Sequence, residues 1–181
     1  MASCALTQGI GRPPCPGATP GAFDTFYLFN TDDVSAYVAG TGSAVSDVTF
    51  KVGKGFYQVI ATKKSVIAKE SLVDDDSSGT SYTPEVSFNL ADVSQEARDF
   101  VNGLNGPEMG VLVQSKTGDW LLFGYTEGLQ MKVNDFTTES GDGFGEGVTL
   151  RASDVNEKRR TFFDTDAGTT LTNITSKIVG S

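Results

Sequence analysis

The sequence contains no histidine and only two cysteines among its 181 residues. Histidine is the commonest general base near neutral pH and the commonest neutral metal ligand. Its absence excludes Ser-His-Asp and Cys-His catalytic arrangements, and it excludes histidine-zinc sites. Cys4 and Cys15 lie close together near the amino-terminus without the further ligands of a tetrahedral zinc site. We therefore expect reduced thiols, no bound metal and no cofactor.

Long apolar runs and positive charge are also scarce. No run approaches the eighteen or so apolar residues that a membrane span requires, so we expect no membrane association. Residues 1–8 are too short and too polar for a secretory signal, which predicts synthesis and folding in a cytoplasm. Fourteen Lys and Arg residues against 23 Asp and Glu residues give a net charge of −9. This sign disfavours a DNA-wrapping role but suits a channel that passes DNA without gripping it.

The two ends of the chain show little periodicity. Residues 1–22 hold most of the prolines and a single charge at Arg12, which predicts an extended arm that needs a partner surface. Residues 163–181 are rich in threonine and have no clear amphipathic pattern. We predict that they form a mobile or partner-ordered tail.

Residues 23–162 consist mainly of short β-prone runs separated by turn residues. Val48, Phe50 and Val52 alternate with polar residues, which is typical of a strand with one buried face. The runs 111–114 and 120–125 flank a glycine-containing turn and predict a hairpin.

A long hairpin is predicted over residues 62–84. Its tip is acidic and contains Asp74, Asp75 and Asp76. The apolar runs 55–62 and 66–73 on either side of Lys63 and Lys64 are expected either to pair with each other or to form one bent strand.

One helix is predicted over about residues 92–104. Asp92 and Gln95 have the spacing of a capping box, and Ala97, Phe100 and Val101 share one apolar face. Together these patterns predict a mainly β fold of about eight to eleven strands. We expect a two-sheet β-sandwich or open barrel with one flanking helix.

Two groups of carboxylates are candidates for chemistry. Asp32 and Asp33 could act as a pair in glycoside cleavage, which needs two carboxyl groups facing one bond. Asp142 and Glu146, in the glycine-rich stretch 141–147, could ligate a hard cation through oxygen, but a loop beside a strand explains that stretch better. Nothing in the sequence places either pair across a cleft, so we predict no enzymatic activity.

Several aromatic residues could line a sugar-binding face, but their strand-like runs favour core or interface packing. They are Phe56, Tyr57, Trp120 and Tyr125. The basic segment at Arg159 and Arg160 is either a solvated strand end or a pairing site for an acidic patch on another subunit.

The order of these features over residues 9–162 resembles one class of protein. The features are the arm with Gly9-Ile10-Gly11-Arg12-Pro13, the triplet Gly55-Phe56-Tyr57, the acidic-tipped hairpin, the helix 92–106, the segment 118–124 and the glycine-rich run before Val148-Thr149-Leu150. This order is similar to that of tail tube proteins and related virion structural proteins of tailed bacteriophages, particularly phages of Bacteroidetes-type hosts.

The resemblance implies two packed sheets with a flanking helix, assembled as hexameric rings that stack into a hollow tube in the virion tail. Strands of adjacent subunits would form a continuous inner barrel, and the hairpin and terminal arms would join successive rings. Genomic DNA would pass through the lumen without specific binding, repelled from the wall by the excess negative charge. The implied partners are further copies of the chain and other tail proteins, namely the terminator, the tape measure and the baseplate or hub.

The residues expected at contacts between subunits are charged and lie in the arm, the hairpin and the basic segment. They are Arg12, Lys63, Lys64, Asp74, Asp75, Asp76, Arg159 and Arg160. Two other functions remain open. One is a different tail, neck or head-decorating structural protein, and the other is a monomeric carbohydrate- or surface-binding β-sandwich that uses the aromatic residues around Trp120.

Overall fold

The computed structural model describes residues 22–75, 79–138, 145–153, 155–156 and 158–179. Within them the chain forms eleven strands and two helices. The strands are β1 (Ala22–Asn30), β2 (Val34–Ala39), β3 (Val45–Phe50), β4 (Tyr57–Ile60), β5 (Ile67–Asp75), β6 (Gly79–Leu90), β7 (Met109–Ser115), β8 (Trp120–Phe123), β9 (Gln130–Thr137), β10 (Gly145–Arg151) and β11 (Arg160–Phe162). The helices are α1 (Gln95–Gly103) and α2 (Ala167–Thr175). The predicted mainly β architecture is confirmed.

The strands form two sheets, as expected for a β-sandwich. The seven-stranded sheet has the order β2-β3-β11-β8-β7-β1-β4, and the four-stranded sheet has the order β5-β6-β10-β9. The four-stranded sheet is antiparallel throughout. In the larger sheet the short strand β11 lies parallel to β3 and antiparallel to β8. It therefore links the β2–β3 hairpin to the other four strands.

Strand β1 contributes to two apolar cores because both of its faces are covered. Phe26 and Leu28 point toward the four-stranded sheet, where the Phe26 ring packs 4.8 Å from the ring of Phe88 on β6. Tyr27 and Phe29 point to the opposite side. We call the first cluster the inter-sheet core and the second the outer core. Because side chains alternate between the two faces of a strand, β1 supplies residues to both the inter-sheet core and the outer core.

Helix α1 closes one side of the inter-sheet core with Ala97, Phe100 and Val101. The capping box predicted at Asp92 and Gln95 is wrong, because a different residue caps the helix. The N-cap is Ser94, whose hydroxyl accepts a hydrogen bond from the Ala97 N–H at 3.2 Å. Asp92 instead accepts from the Ser94 N–H at 2.9 Å, in a turn that precedes the helix. Serine competes well with aspartate for the cap position, and both residues precede the apolar face at plausible spacing.

The chain from Phe163 onward is predicted to form a mobile or partner-ordered tail, but its described residues include α2, which packs against the outer core of the same chain. Ile174 is fully buried there. After the helix, Ile178 forms a parallel bridge with Phe56, next to β4. The helix was hidden in the sequence because threonine is a poor helix former. Tertiary packing and a strong cap compensate.

The cap of α2 predicts a pH dependence. The Asp166 carboxylate accepts hydrogen bonds from the Thr169 N–H at 2.8 Å and from the Thr169 hydroxyl at 3.0 Å. These bonds, led by the backbone bond, lower the pKa of Asp166 below its ordinary value. Its contribution to stability is therefore present above the unfolded-state pKa and is lost as the pH falls through the folded-state pKa. Asp166→Asn retains a capping side chain without a charge. We expect this variant to show a flatter melting-temperature profile than the wild type below about pH 4, and identical acid slopes would contradict the assignment.

A long hairpin is present, but its strands span residues 67–90 rather than the predicted 62–84, and β5 pairs with β6 from Ile67 and Ser87 to Asp75 and Gly79. The two expected relations between the runs 55–62 and 66–73 are both wrong. β4 pairs with β1 in the seven-stranded sheet, whereas β5 belongs to the four-stranded sheet. The Lys63-Lys64 turn therefore carries the chain from one sheet to the other. Residues 1–21, with Cys4 and Cys15, lie outside the described residues, and so do residues 139–144. Neither helix of the described chain has the length and apolarity needed to cross a membrane.

Candidate functional site

The two edge strands of the four-stranded sheet are the most prominent candidate surface. β5 pairs only with β6, and β9 pairs only with β10, among the strands of the described chain. Both edges are long, with nine residues in β5 and eight in β9. An unpaired strand presents a row of backbone donors and acceptors that can pair with another chain.

Exposed apolar side chains concentrate on these edges. Five of the eleven large hydrophobic residues exposed in the described chain lie on β5 or β9. They are Ile67, Leu72, Val73, Val133 and Phe136. Single exposed apolar residues are ordinary, but their clustering along unpaired edges is typical of a surface that becomes covered.

The face of the four-stranded sheet that points away from the core is polar in its middle, while its edge strands carry Ile67, Val73 and Val133 there. Its strand register places Ser87 beside Thr149 and Asn89 beside Gly147. Charges of both signs share this face. Lys69 forms a 2.8 Å ion pair with Glu85, and Arg151 is the cross-strand neighbour of the same carboxylate. The net charge of −9 is therefore not concentrated on this face.

The middle of the hairpin is contacted by the segment that follows β10. Val155 forms an antiparallel bridge with Tyr82 on β6, and the Lys158 ammonium lies 5.0 Å from the centre of the Tyr82 ring. A hydrogen bond from Lys158 to Tyr82 raises the pKa of Lys158. Arg159 forms a 3.2 Å ion pair with Glu70 on β5. The basic segment therefore already has partners within the chain, and the contact of Arg159 with another subunit remains a prediction.

The other predicted contact residues lie apart from one another. Lys63 and Lys64 are exposed in the turn between the sheets, and the Lys64 N–H donates to the Asp24 carboxylate at 2.8 Å. Lys64 has a positive φ of 63°, an uncommon conformation for a side-chain-bearing residue. Asp74 and Asp75 lie at the end of β5, opposite Thr80 and Gly79. Arg12 and Asp76 lie outside the described residues.

Arg160 belongs to a separate cluster around the seven-stranded sheet. Its guanidinium lies 4.8 Å from the centre of the Tyr125 ring and donates to the Ser43 carbonyl at 3.3 Å. The Tyr37 hydroxyl donates to the Tyr125 carbonyl, and the two tyrosine rings meet edge to face. Arg160 is therefore positioned by contacts of its own chain.

Core packing, which the sequence favours over a sugar-binding face for the aromatic residues around Trp120, is confirmed for Trp120 itself. Trp120 is 5% exposed and packs in the outer core against Tyr27. Phe56 and Tyr57 are buried as well. All three side chains therefore pack in the inter-sheet or the outer core.

Of the carboxylate candidates, the structure describes Asp32, Asp33 and Glu146. Asp33 accepts a hydrogen bond from Asn30 at 2.9 Å and pairs with Lys54 at 3.5 Å, in a short 3-10 turn that also contains Asp32. Asp142 lies outside the described residues. Among the residues that the structure describes, no three acidic, cysteine or histidine side chains come together as a metal site.

The contact residues predicted from the sequence are all charged, so none of them marks the apolar edges. The sequence nevertheless contains a pattern that indicates the β5 edge. In the run from Ile67 to Val73, apolar residues occupy both odd and even positions, so one side of the strand cannot bury them all. A strand of this kind needs contacts on both faces.

Comparisons with protein-family profiles, with curated proteins and with solved structures find no match for this chain. The function proposed for it therefore rests on its own residues and their geometry.

Proposed function

We propose that the chain is the tail tube subunit of a tailed bacteriophage, a virion protein that assembles into rings and then into a hollow, DNA-conducting tube. The observation that carries the proposal is the four-stranded sheet with two unpaired, apolar edges. Ring formation through these edges would cover Ile67, Leu72, Val133 and Phe136, all of which are exposed in the single chain.

The direction of the strands supports a head-to-tail ring. In an antiparallel sheet of four strands, the two outermost strands run in opposite directions. β9 of one copy can therefore pair antiparallel with β5 of the next, and the same contact can repeat around an axis. Such heterologous contacts give closed rings when the rotation closes. The shared sheet would then form the wall of a barrel.

The composition of the outward sheet face supports its use as a lumen wall. Serine, threonine and asparagine hydrate well, and the mixed charges around Lys69, Glu85 and Arg151 offer no continuous basic track to a phosphate backbone. The wall is thus close to electrically balanced. Low affinity for DNA would come from the lack of a basic stripe rather than from uniform repulsion.

The proposal is tested by negative-stain electron microscopy and light scattering over a concentration series. We expect the wild-type protein to form rings with a central hole and stacked tubes. Val133→Lys places a charge on the β9 edge and should abolish both assemblies, since lysines on edge strands oppose pairing with another chain.

The matched control is Val52→Lys, at an equally apolar residue that lies outside the strands and is fully exposed. It should assemble like the wild type, and both variants should keep the wild-type melting temperature. Normal tubes from Val133→Lys would show that the edges are not the contact. Rings that never stack would favour another tail protein, and a wild-type protein that stays monomeric at every concentration would contradict self-assembly.

A further inference from the structure

A polar cavity of about 230 Å³ lies between α1 and the β9–β10 end of the four-stranded sheet. It is lined by Glu146 from β10, Asn134 from β9, and Arg98, Val101 and Asn102 from α1. Glu146 pairs with Leu90 on β6. Its side chain lies on the core-facing side of the sheet, as does that of Val148. The cavity is therefore separate from the outward sheet face.

Glu146 is the unusual member of this group. Its residue is only 6% exposed, yet within the described chain its carboxylate has no hydrogen-bond or ion-pair partner. A buried carboxylate without protein donors is costly, and in an open cavity those donors come from water or from a ligand that displaces it.

The other polar side chains at the cavity are also available. Arg98, Asn102 and Asn134 are exposed at its rim, and none of their side chains forms a hydrogen bond with another described residue. Each carboxamide can donate and accept at the same time, and the guanidinium donates from a planar fork. One negative and one positive side chain leave the site close to neutral.

An aromatic ring borders the polar groups. Phe136 is the direct cross-strand neighbour of Glu146 in the β9–β10 pairing, so both side chains leave the sheet on the same face. Phe136 is 47% exposed. Phe136 is not among the residues that line the cavity, but this register puts it beside Glu146, at the edge of the site.

We propose that this cavity is a binding site for a neutral carbohydrate ring. Vicinal hydroxyl groups supply donors to Glu146 and both donors and acceptors to the two asparagines. The C–H face of the ring packs on Phe136, and Arg98 donates to a hydroxyl at the rim. The volume is below that of drug-sized sites, which suits a single ring.

A free amino acid is the main rival ligand, because its ammonium and carboxylate groups could meet Glu146 and Arg98. It would leave the two carboxamides and the exposed ring of Phe136 with little to bind. The two carboxamides each donate and accept hydrogen bonds. Together with an aromatic surface they favour a ligand with many hydroxyl groups and an apolar face.

The test is a titration of the dilute wild-type protein with glucose, galactose, mannose and N-acetylglucosamine, and separately with glycine as the zwitterion. Concentrations extend to about 50 mM, since a small ligand with few contacts binds weakly. The readout is the side-chain amide signals of Asn102 and Asn134 in nitrogen-proton correlation spectra. We expect at least one sugar to shift both signals and glycine to shift neither.

Glu146→Gln keeps the shape but removes the charge, and it should weaken sugar binding about tenfold or more. The control, Glu85→Gln, alters a carboxylate on the opposite face of the same sheet and should bind like the wild type. If Glu146→Gln fails to fold, Phe136→Ala tests the same site from an exposed position and should also weaken binding.

No shift with any sugar, a shift that is unchanged in the folded variants, or a response to glycine alone would overturn the assignment. The titration uses dilute, unassembled protein because the proposed ring contact would cover Phe136. Failure here would leave the microscopy of Val133→Lys unaffected, and failure of assembly would leave this titration unaffected.

Discussion

Phe88→Ala should lower the free energy of unfolding by about 3–5 kcal/mol, the range for removing a fully buried aromatic side chain. Phe88 is 1% exposed and packs in the inter-sheet core against Phe26. It lies on β6 and meets β1 of the opposite sheet, so its loss leaves a cavity between the two layers. Neither sheet can fill that cavity without moving as a whole. Urea unfolding monitored by Trp120 fluorescence measures the change.

Phe136→Ala is the matched control for this effect. It removes the same atoms from the same sheet, but at a half-exposed edge position. We expect a change of about 0.5 kcal/mol or less. A similar loss for both variants would mean that the two sheets do not pack through Phe88, and a loss under about 1 kcal/mol for Phe88→Ala would place that ring outside a tight core.

Gly110→Ala should cost about 3 kcal/mol, an unusually large effect for one methyl group. Gly110 on β7 lies directly opposite Phe29 on β1, and a Cβ atom at this position would fall on the Phe29 ring. The ring cannot swing aside. It is fully buried and packs edge to face against Phe50 and Phe56, each with centroids 5.7 Å away.

A double-mutant cycle separates this clash from other effects of the methyl group. In a Phe29→Ala background the space above Gly110 is empty, so Gly110→Ala should cost at least about 1 kcal/mol less than in the wild type. Equal costs in the two backgrounds would show that the strain comes from the backbone of β7. Chemical denaturation of the four proteins supplies the comparison.

The sequence was most informative where local pattern and tertiary role agree. The hairpin of β7 and β8 is predicted by two β-prone runs around a glycine turn, and the apolar stripe of α1 predicts its buried face. Val52 shows how this fails. It continues the alternation of Val48 and Phe50, but β3 ends at Phe50, and a turn at Gly53 with φ of 75° leaves Val52 fully exposed.

What could not be predicted depends on contacts between distant segments. The helical state of α2 is favoured by burial of Ile174 in the outer core, which no local window reveals. The cavity at Glu146 requires α1 to lie over the start of β10. The sequence singled out Glu146 as a possible cation ligand beside Asp142, while its described neighbours are an arginine and two asparagines. Which residues become neighbours depends on tertiary packing. The spacing of residues along the sequence does not determine that packing.

The position of β11 has a consequence for the order of folding. This three-residue strand joins the β2–β3 hairpin to the remaining four strands of its sheet, pairing Phe162 with Val45. As the chain leaves the ribosome, the two parts of the sheet come first and the strand that unites them comes nearly last. Pairing between such distant segments is slow because the loop entropy must be overcome before contacts form. Until then the edges of β3 and β8 remain unpaired, so either edge can pair with a wrong strand during synthesis. In the folded protein both edges are paired with β11.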